Sequence, residues 1–416
     1  MSLFSSTQSR DRFGLIIDIG SGSVLVSIVA SSQTEAYPTI LWAKREYVPL
    51  RTAESTSGMA KSVMTALMNA LLEFESTGRH ILQSYSQTAH ITDMQVTVSA
   101  PWSYTVIKHI TFQKDEPFTL TNDLLESLLE TADKKIAVEL HENEIATDLE
   151  LSITQRTPLQ IIANGYPITQ IHKQITRNLS LAYASTIIQD HLATTIKDAR
   201  NNVAPKSNLH ISSFMLAYFE LLRATHPHWN ELALIDITFE ATEIGIVRDG
   251  ALHYCTHHPI GSQTLIKNIS HITKQPATDV YSRLQDKTMD DFLALLPASH
   301  QPRVVSVFDD YVTALREIFT ETGDVLGLPR VLAIHIEQAC EPLFVPLIKE
   351  AANRVTKIKH FCHPVTSELV EQYYSYLQTK KLEPILIDTA MLASAQLFHN
   401  GYSPSGRSTL LRDILE

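Results

Sequence analysis

The N-terminal part of the chain alternates between apolar runs and short polar turns, a pattern that predicts strands. FGLIIDIG and VLVSIVA are near-continuous apolar runs of strand length on either side of one turn, and TILWAKREYVPL can supply a third strand. Apolar residues then recur every three or four positions, as on one face of an amphipathic helix, at Met59, Val63, Leu67, Leu71 and Phe74. The predicted order is strand, strand, strand, helix.

The same order of elements returns in residues 232–270. LALIDI, TEIGIV and GALHYCTHH are strand-like, and GSQTLIKNIS begins a helix. Asp18 and Asp236 occupy corresponding places, each near the end of the first strand of its unit. Beyond residue 300, a helix, the strand RVLAIHI and two further helices predict an α/β layer. The pattern therefore predicts a duplicated α/β unit.

The segment from residue 94 to about 205 fits neither unit. MQVTVSAPW, VIKHITF, DLELSITQ and PLQIIANGY are strand-like, and TNDLLESLLETADKKIAVEL predicts a helix with Thr121 as its N-cap. Its apolar face would consist of Leu124, Leu128, Ala132 and Ile136. The predicted division is a core of residues 13–95 and 206–400 with a second lobe mainly in 232–385, a small mixed α+β insertion domain of 96–205, and tails of 1–12 and 402–416.

The first turn has a composition that suits an anion. Gly20 and Gly22 allow consecutive backbone N–H groups to approach phosphate oxygens, and Ser21 and Ser23 can donate their hydroxyls. Asp18 could hold a hydrated Mg²⁺. An ordinary β-hairpin turn is the alternative, because glycine and serine are common turn residues. Spacing alone does not separate these two interpretations.

LIIDIGSGSV resembles the first phosphate-binding hairpin of the actin-like ATPase superfamily, LALIDITFEATEIGIVRDGALHYCTHHPIG resembles the second, and TAMLASAQLF is similar to the closing helix. The position of the insertion is similar to that of the small domain in the bacterial FtsA and PilM proteins. The resemblance covers most of residues 13–400 and implies a duplicated, ribonuclease H-like two-lobed α/β fold with ATP and Mg²⁺ between the hairpins. The cofactor-binding residues that it implies are Asp18, Gly20, Ser21, Gly22, Ser23, Asp236, Thr242 and Gly261.

The sequence departs from the superfamily pattern at two of its three glycine-rich loops. In the second turn, TFEAT, Phe239 and Glu240 bring bulk and a negative charge where the pattern has bare backbone facing a polyphosphate. After VLAI, the segment HIEQACEPLF has no glycine, and Leu25 stands where PilM-like sequences commonly carry a lysine. The chain has 13 glycines in 416 residues, about half the average usage. We therefore expect a vestigial or weak nucleotide site and no ATPase activity.

Composition narrows the class of protein further. A net charge of −11 and a pI near 5.9 argue against a nucleic-acid partner. Three cysteines without a CxxC spacing predict neither a disulfide framework nor a zinc site, and they fit a reducing cytoplasm. No apolar stretch reaches the roughly 18 residues of a membrane span. The C-terminal SPSGRSTLLRDILE is too short and too mixed in charge for more than a weak membrane anchor. We expect a cytoplasmic protein without a bound metal.

The leading hypothesis is a cytoplasmic actin-like scaffold or adaptor of bacterial envelope machinery, serving either type IV pilus assembly or cell division. The resemblance to PilM implies that the insertion, or its junction with the core, binds a cytoplasmic segment of an inner-membrane or division protein, by strand addition to an exposed sheet edge. Membrane contact would then be peripheral. Two alternatives stay open: an active ATPase or small-molecule kinase of the same fold, with Asp236 as its carboxylate base, and a self-associating, filament-forming cytoskeletal protein.

Overall fold

The structure, a computed structural model, describes residues 11–49, 56–142, 151–168, 174–337, 340–377, 385 and 387–401. The strands of these residues form three sheets. The first sheet contains β1 (Arg12–Ile19), β2 (Ser23–Ser31), β3 (Thr39–Tyr47), β4 (Ile91–Val98), β9 (Asn208–Ser213) and β15 (Ser375–Tyr376). Their order across the sheet is β15-β3-β2-β1-β4-β9. Neighbouring strands among β1, β2 and β3 are antiparallel, whereas β4 is parallel to β1 and β9 is parallel to β4.

The second sheet repeats this arrangement. It contains β10 (Leu232–Ile237), β11 (Thr242–Arg248), β12 (Ala251–His258), β13 (Val331–Ile336) and β14 (Phe361–Pro364), in the order β12-β11-β10-β13-β14. Every residue of the central strands β1 and β10 is buried, because each has a strand on both sides and covered faces. Asp18 and Asp236 interrupt these apolar strands at equivalent positions. The predicted duplication of an α/β unit is therefore confirmed by the sheet topology.

The third sheet consists of β5 (Ser103–Thr119), β6 (Leu151–Ala163), β7 (Tyr166–Pro167) and β8 (Ile175–Gln189), and it is antiparallel throughout. Helix α3 (Asn122–Glu142) packs on it and begins as predicted, with the Thr121 hydroxyl accepting a hydrogen bond from the backbone N–H of Leu124 at 3.2 Å. The buried face of α3 is shifted from the predicted one. Leu125, Leu129 and Ile136 are fully buried, whereas Leu124, Leu128 and Ala132 are only partly so.

The remaining helices surround the first two sheets. They are α1 (Thr56–Glu73), which continues through the π-helical turn Phe74–Gly78 into α2 (Arg79–Tyr85), then α4 (Asp190–Val203), α5 (Phe214–Thr225), α6 (Ser262–Thr273), α7 (Ala277–Leu284), α8 (Met289–Ala294), α9 (Gln301–Leu326), α10 (Glu341–Thr356), α11 (Ser367–Val370) and α12 (Thr389–Asn400). Within the described ranges, no helix is both long enough and apolar enough to cross a lipid bilayer.

The boundaries of the insertion differ from the predicted 96–205. Strand β4 pairs with β1 as far as Val98, so residue 96 lies inside the first sheet. At the other end, the apolar face of α4 joins the core that contains the first sheet, through residues such as Leu192 and Ile196. The four-stranded sheet and its helix therefore occupy residues 103–189, and the two ends of this segment meet where Ser103 pairs with Ile188.

The chain returns to the first lobe near its C-terminal end. Strand β15 adds to the first sheet beside β3, although it lies within the predicted second-lobe range of 232–385. Helix α12, the predicted closing helix, packs against α5 and β1. Because α5 also contacts β10 and β11 of the second sheet, the two lobes share continuous apolar packing behind the hairpin turns.

Candidate functional site

The turns of the two equivalent hairpins lie in direct contact. In the first turn, the Gly20 N–H donates to the Ser23 carbonyl at 3.0 Å. The second turn is closed by the Thr238 N–H, which donates to the Ala241 carbonyl at 2.9 Å. The N–H of Glu240 donates across the gap to the Ser21 hydroxyl at 3.1 Å. The duplicated hairpins thus meet where β1 and β10 each end.

The carboxylate of Glu337 lies between these turns. Its Oε1 accepts hydrogen bonds from the N–H of Gly22 and the hydroxyl of Ser23, both at 3.0 Å. Its Oε2 accepts from the N–H of Phe239 at 3.1 Å and lies 3.5 Å from the Ser21 hydroxyl. Glu337 directly follows β13, in the segment HIEQACEPLF, which has no glycine where the superfamily pattern has a glycine-rich loop. One carboxylate therefore bridges the first lobe and the second.

Gly20 leaves room for this carboxylate. A Cβ atom at Gly20 would lie 2.8 Å from the carboxyl carbon of Glu337 and still closer to one of its oxygens. Contacts under 3.0 Å essentially never occur for real Cβ atoms, so one of the two groups would have to move. Gly20 therefore leaves space for a carboxylate of the protein itself. The composition of the turn predicts a phosphate at this place.

Arg45 on β3 is the cation beside the first turn. Its Nη2 lies 2.8 Å from Oδ1 of Asp388 and 3.6 Å from Oδ2 of Asp18, and its Nη1 donates to the Ser23 hydroxyl. Arg45 pairs in register with Leu25 on the neighbouring strand. The positive charge therefore lies on the strand next to Leu25 of the first hairpin. No sequence pattern marks either Arg45 or Asp388 as part of the site.

Asp18 is held in a buried, charge-coupled environment. Burial raises the pKa of its carboxyl to about 7, the Arg45 guanidinium opposes this, and the nearby Asp388 and Glu337 carboxylates add to it. The Thr97 hydroxyl donates to Asp18 Oδ1 at 3.1 Å. Asp18 is thus a partner of Arg45 and Thr97.

We expect this pKa to make the free energy of unfolding depend on pH. The folded-state pKa lies above the unfolded value of 3.8, so the contribution of Asp18 is fully present below about pH 4 and is lost as pH rises through about 7. The two values correspond to a loss on the order of 4 kcal/mol. Denaturant unfolding of wild type and Asp18→Asn should show a steeper decline between about pH 4 and pH 8 in wild type. Parallel pH profiles would contradict this assignment.

Asp236 is paired with a histidine of the adjacent strand. His335 Nδ1 lies 2.7 Å from Asp236 Oδ1, and the two residues are opposite each other in the β10–β13 ladder. Burial acts to lower the pKa of His335, but the hydrogen bond and charge of Asp236 outweigh it, and the pKa is raised. The charges of Asp388 and Asp18 raise the pKa of His335 further.

Thr242 and Gly261, the other two predicted cofactor-binding residues, have contacts within the second lobe. Thr242 donates its hydroxyl to the carbonyl of Ile260 at 2.6 Å. Gly261 packs on the backbone of the second turn, where an added Cβ would lie 2.6 Å from the nitrogen of Glu240. Directly after it, the first N–H groups of α6 donate to the carbonyls of Thr238 and Phe239 at 3.1 and 2.8 Å. These α6 donors are therefore used within the second lobe.

Phe239 differs from its predicted placement. Its side chain is 2% exposed and belongs to the main apolar core, so only its backbone N–H faces the Glu337 carboxylate. The negative charge between the turns comes instead from Glu337, while Glu240 is only partly buried. Burial raises the pKa of Glu240, Lys267 opposes this, and Glu337 adds to it.

The residues present in this arrangement do not fit a nucleotide polyphosphate between the turns. The N–H groups of Gly22 and Phe239 and the Ser23 hydroxyl, which a phosphate would need, already donate to Glu337. A Mg²⁺ ion would compete with Arg45 for Asp18 and with His335 for Asp236. Among the described residues, no group of three or more His, Cys, Asp or Glu side chains could hold a metal ion.

Comparisons with known proteins agree with this architecture. No protein-family model and no curated protein matches the chain. Among solved structures, a chain of the "PilM-PilN type IV pilus biogenesis complex" is similar over 94% of this chain and 99% of its own, with 10% sequence identity and a TM-score of 0.55.

Two further solved structures have lower scores. The ethanolamine utilization protein EutJ from Carboxydothermus hydrogenoformans has 9% identity over 92% of this chain and 89% of its own, with a TM-score of 0.38. A ROK family glucokinase from Streptomyces griseus, in complex with glucose and AMPPNP, has 8% identity over 94% of this chain and 99% of its own, with a TM-score of 0.38. Because both scores lie below 0.5, only the first structure supports a shared fold. Together with the duplicated strand order and with helix α12 packing back on the first lobe, that similarity shows that this chain has an actin-like, two-lobed α/β fold.

Proposed function

We propose that this chain is a cytoplasmic scaffold or adaptor of bacterial cell-envelope machinery that binds a segment of a membrane-protein partner rather than turning over ATP. The site of binding is a groove between the insertion domain, residues 103–189, and the first lobe. The groove has a volume of about 990 Å³ and is the observation that carries the proposal. This volume lies at the upper end of the range for small-molecule sites and suits a short peptide segment.

Strand edges form two walls of the groove. On the core side are residues 209–211 of β9, the last strand of the first sheet, which has β4 as its only ladder partner among the described residues. On the insertion side are residues 152–158 of β6. The backbone of an edge strand offers unpaired N–H and C=O groups to an added strand. A partner segment can therefore bind by β-augmentation, with its side chains in the groove.

The chemistry of the walls favours an amphipathic segment. Apolar side chains of Ile153, Leu209 and Phe398 line the groove together with exposed Lys197. Arg156 is already engaged with Asp133 and, at 3.5 Å, with Glu126 on α3. We infer a partner segment whose apolar residues contact the groove floor and whose charged residues face its rim, as in interfaces with an apolar centre and a polar rim.

The similarity to the PilM-PilN structure supports the same proposal. That structure is of a type IV pilus biogenesis complex, and the similarity covers 94% of this chain. A role in pilus assembly, with membrane contact made through the partner, is therefore preferred over a role in cell division. A kinase or ATPase of this fold would need free donors between the hairpin turns, and Glu337 occupies them.

Filling the groove tests the proposal. Thr157→Trp places a large side chain on the β6 wall, and we expect it to abolish co-sedimentation of the tagged chain with membranes from the source cells. Lys197→Glu, at an exposed position of the rim, should weaken co-sedimentation without changing the fold. Thr131→Trp is the matched control, because Thr131 lies on α3, is exposed and does not line the groove.

Equal co-sedimentation of Thr157→Trp and Thr131→Trp, with both variants unfolding at the temperature of wild type, would contradict the groove as the binding site. ATP hydrolysis measured on the wild-type chain should stay at background. Turnover that disappears in Asp236→Asn would favour the enzyme alternative.

A further inference from the structure

The donors around Glu337 form a built anion site. Two backbone N–H groups, from Gly22 and Phe239, and the hydroxyl of Ser23 converge on its carboxylate at 3.0 to 3.1 Å, and the Ser21 hydroxyl lies at 3.5 Å. Converging backbone N–H groups and hydroxyls are the donors with which proteins bind phosphate. Arg45 contributes positive charge beside them through its contact with Ser23. The chain thus has the donor set of a phosphate site, filled by its own side chain.

We propose that the Glu337 carboxylate is an internal substitute for a nucleotide phosphate. The carboxylate fills the anion site between the two hairpin turns and clamps the lobes together without a ligand. Two features of Glu337 lead to this inference. One is its position between the lobes, and the other is the space that its side chain takes. Neither feature depends on the groove proposed for the partner.

Glu337 is fixed to the second lobe and reaches the first. Its backbone N–H donates to the carbonyl of Ile237 at 3.0 Å, which anchors it at the end of β10. From there, Oε2 accepts from Phe239 in its own lobe, and Oε1 accepts from Gly22 and Ser23 in the other. A nucleotide phosphate between duplicated hairpins would join the lobes through the same two sets of donors. The carboxylate can therefore join the lobes without a bound ligand, because it is part of the chain.

The carboxylate also takes the space of a phosphate. It lies so close over Gly20 that a Cβ there would displace it. The neighbouring contact from the Glu240 N–H to the Ser21 hydroxyl, at 3.1 Å, draws the two turns together on one side of it. An oxyanion from solvent can reach these donors only when the Glu337 side chain leaves or is removed.

Removing the side chain should therefore open the site to an inorganic anion. We expect inorganic pyrophosphate to raise the unfolding temperature of Glu337→Ala and to leave that of wild type unchanged, because a ligand that binds only the folded state stabilises it. Glu337→Gln is the filled control: it keeps the size of the side chain without its charge, and pyrophosphate should not stabilise it. Glu350→Ala, an exposed glutamate of α10, reports pyrophosphate binding elsewhere on the chain.

Two results would overturn the inference. One is stabilisation of wild type by pyrophosphate to the same extent as Glu337→Ala, since the site would then not be filled. The other is a folded Glu337→Ala that pyrophosphate stabilises no more than Glu350→Ala, since the donors would then not form an anion site.

Hydrogen exchange provides a second measurement that does not require Glu337→Ala to fold. The N–H groups of Gly22 and Phe239 should be protected in wild type, because each donates to the carboxylate. In Glu337→Gln, their exchange should accelerate by about 10- to 100-fold relative to neighbouring strand amides, as expected for loss of a charged acceptor. Unprotected Gly22 and Phe239 amides in the wild-type chain would exclude the clamp.

Discussion

Replacing Arg45 by methionine is expected to lower the free energy of unfolding by about 3–5 kcal/mol, the usual cost of removing one partner from a buried ion pair. Arg45 is 8% exposed and lies between the carboxylates of Asp18 and Asp388. Without the guanidinium, Asp388 and Glu337 lose the cation that does most to lower the pKa of their buried carboxyls. Denaturant unfolding at neutral pH measures the effect.

The neighbouring residue provides the control for this prediction. Lys44→Met makes the same change of charge one position earlier on β3, but Lys44 is exposed. We expect its unfolding free energy to change by no more than about 0.5 kcal/mol, as for most surface substitutions. If Arg45→Met cost no more than Lys44→Met, the guanidinium would contribute nothing to the folded site.

The repeated core can be predicted because its signal is local. FGLIIDIG and LALIDI are apolar on both faces except for one aspartate each, as central strands of covered sheets are. The fold class follows from that repetition and is confirmed by the strand order of the two sheets. The boundaries of the insertion are harder to predict from the sequence, because the apolar pattern of β4 does not show whether this strand pairs with β1 or with β5. Its partner in the first sheet is set by tertiary contacts alone.

No local sequence pattern identifies the residue at the centre of the site. Gly20 and Ser23 stand out by their turn composition, but the group that they contact is Glu337, more than 300 residues later in the chain. A single carboxylate after a strand carries no pattern of its own. Its role follows only from the parallel pairing of β10 and β13, which brings the ends of both strands to one edge. The assignment of Asp18, Asp236 and the other predicted residues to a nucleotide site stays a prediction.

The second hairpin turn contributes one side chain, Phe239, to the apolar core. We expect Phe239→Ala to lower the free energy of unfolding by about 3–5 kcal/mol, the cost typical of truncating a buried phenylalanine. The side chain is 2% exposed and packs in the cluster that contains Ile237 and Ile244 on the flanking strands. Denaturant unfolding of the purified variant measures the loss.

Glu240→Ala is the matched control, because Glu240 is the next residue of the same turn and its side chain is only partly buried. The nearby Glu337 carboxylate raises the pKa of Glu240, so the two carboxylates repel each other. Because Glu240→Ala removes this repulsion, its change in stability should be small. A loss in Phe239→Ala no larger than in Glu240→Ala would contradict the assignment of Phe239 to the core. If the large loss is observed, the folded chain depends on the phenylalanine of this turn, so a glycine at position 239 would also destabilise it.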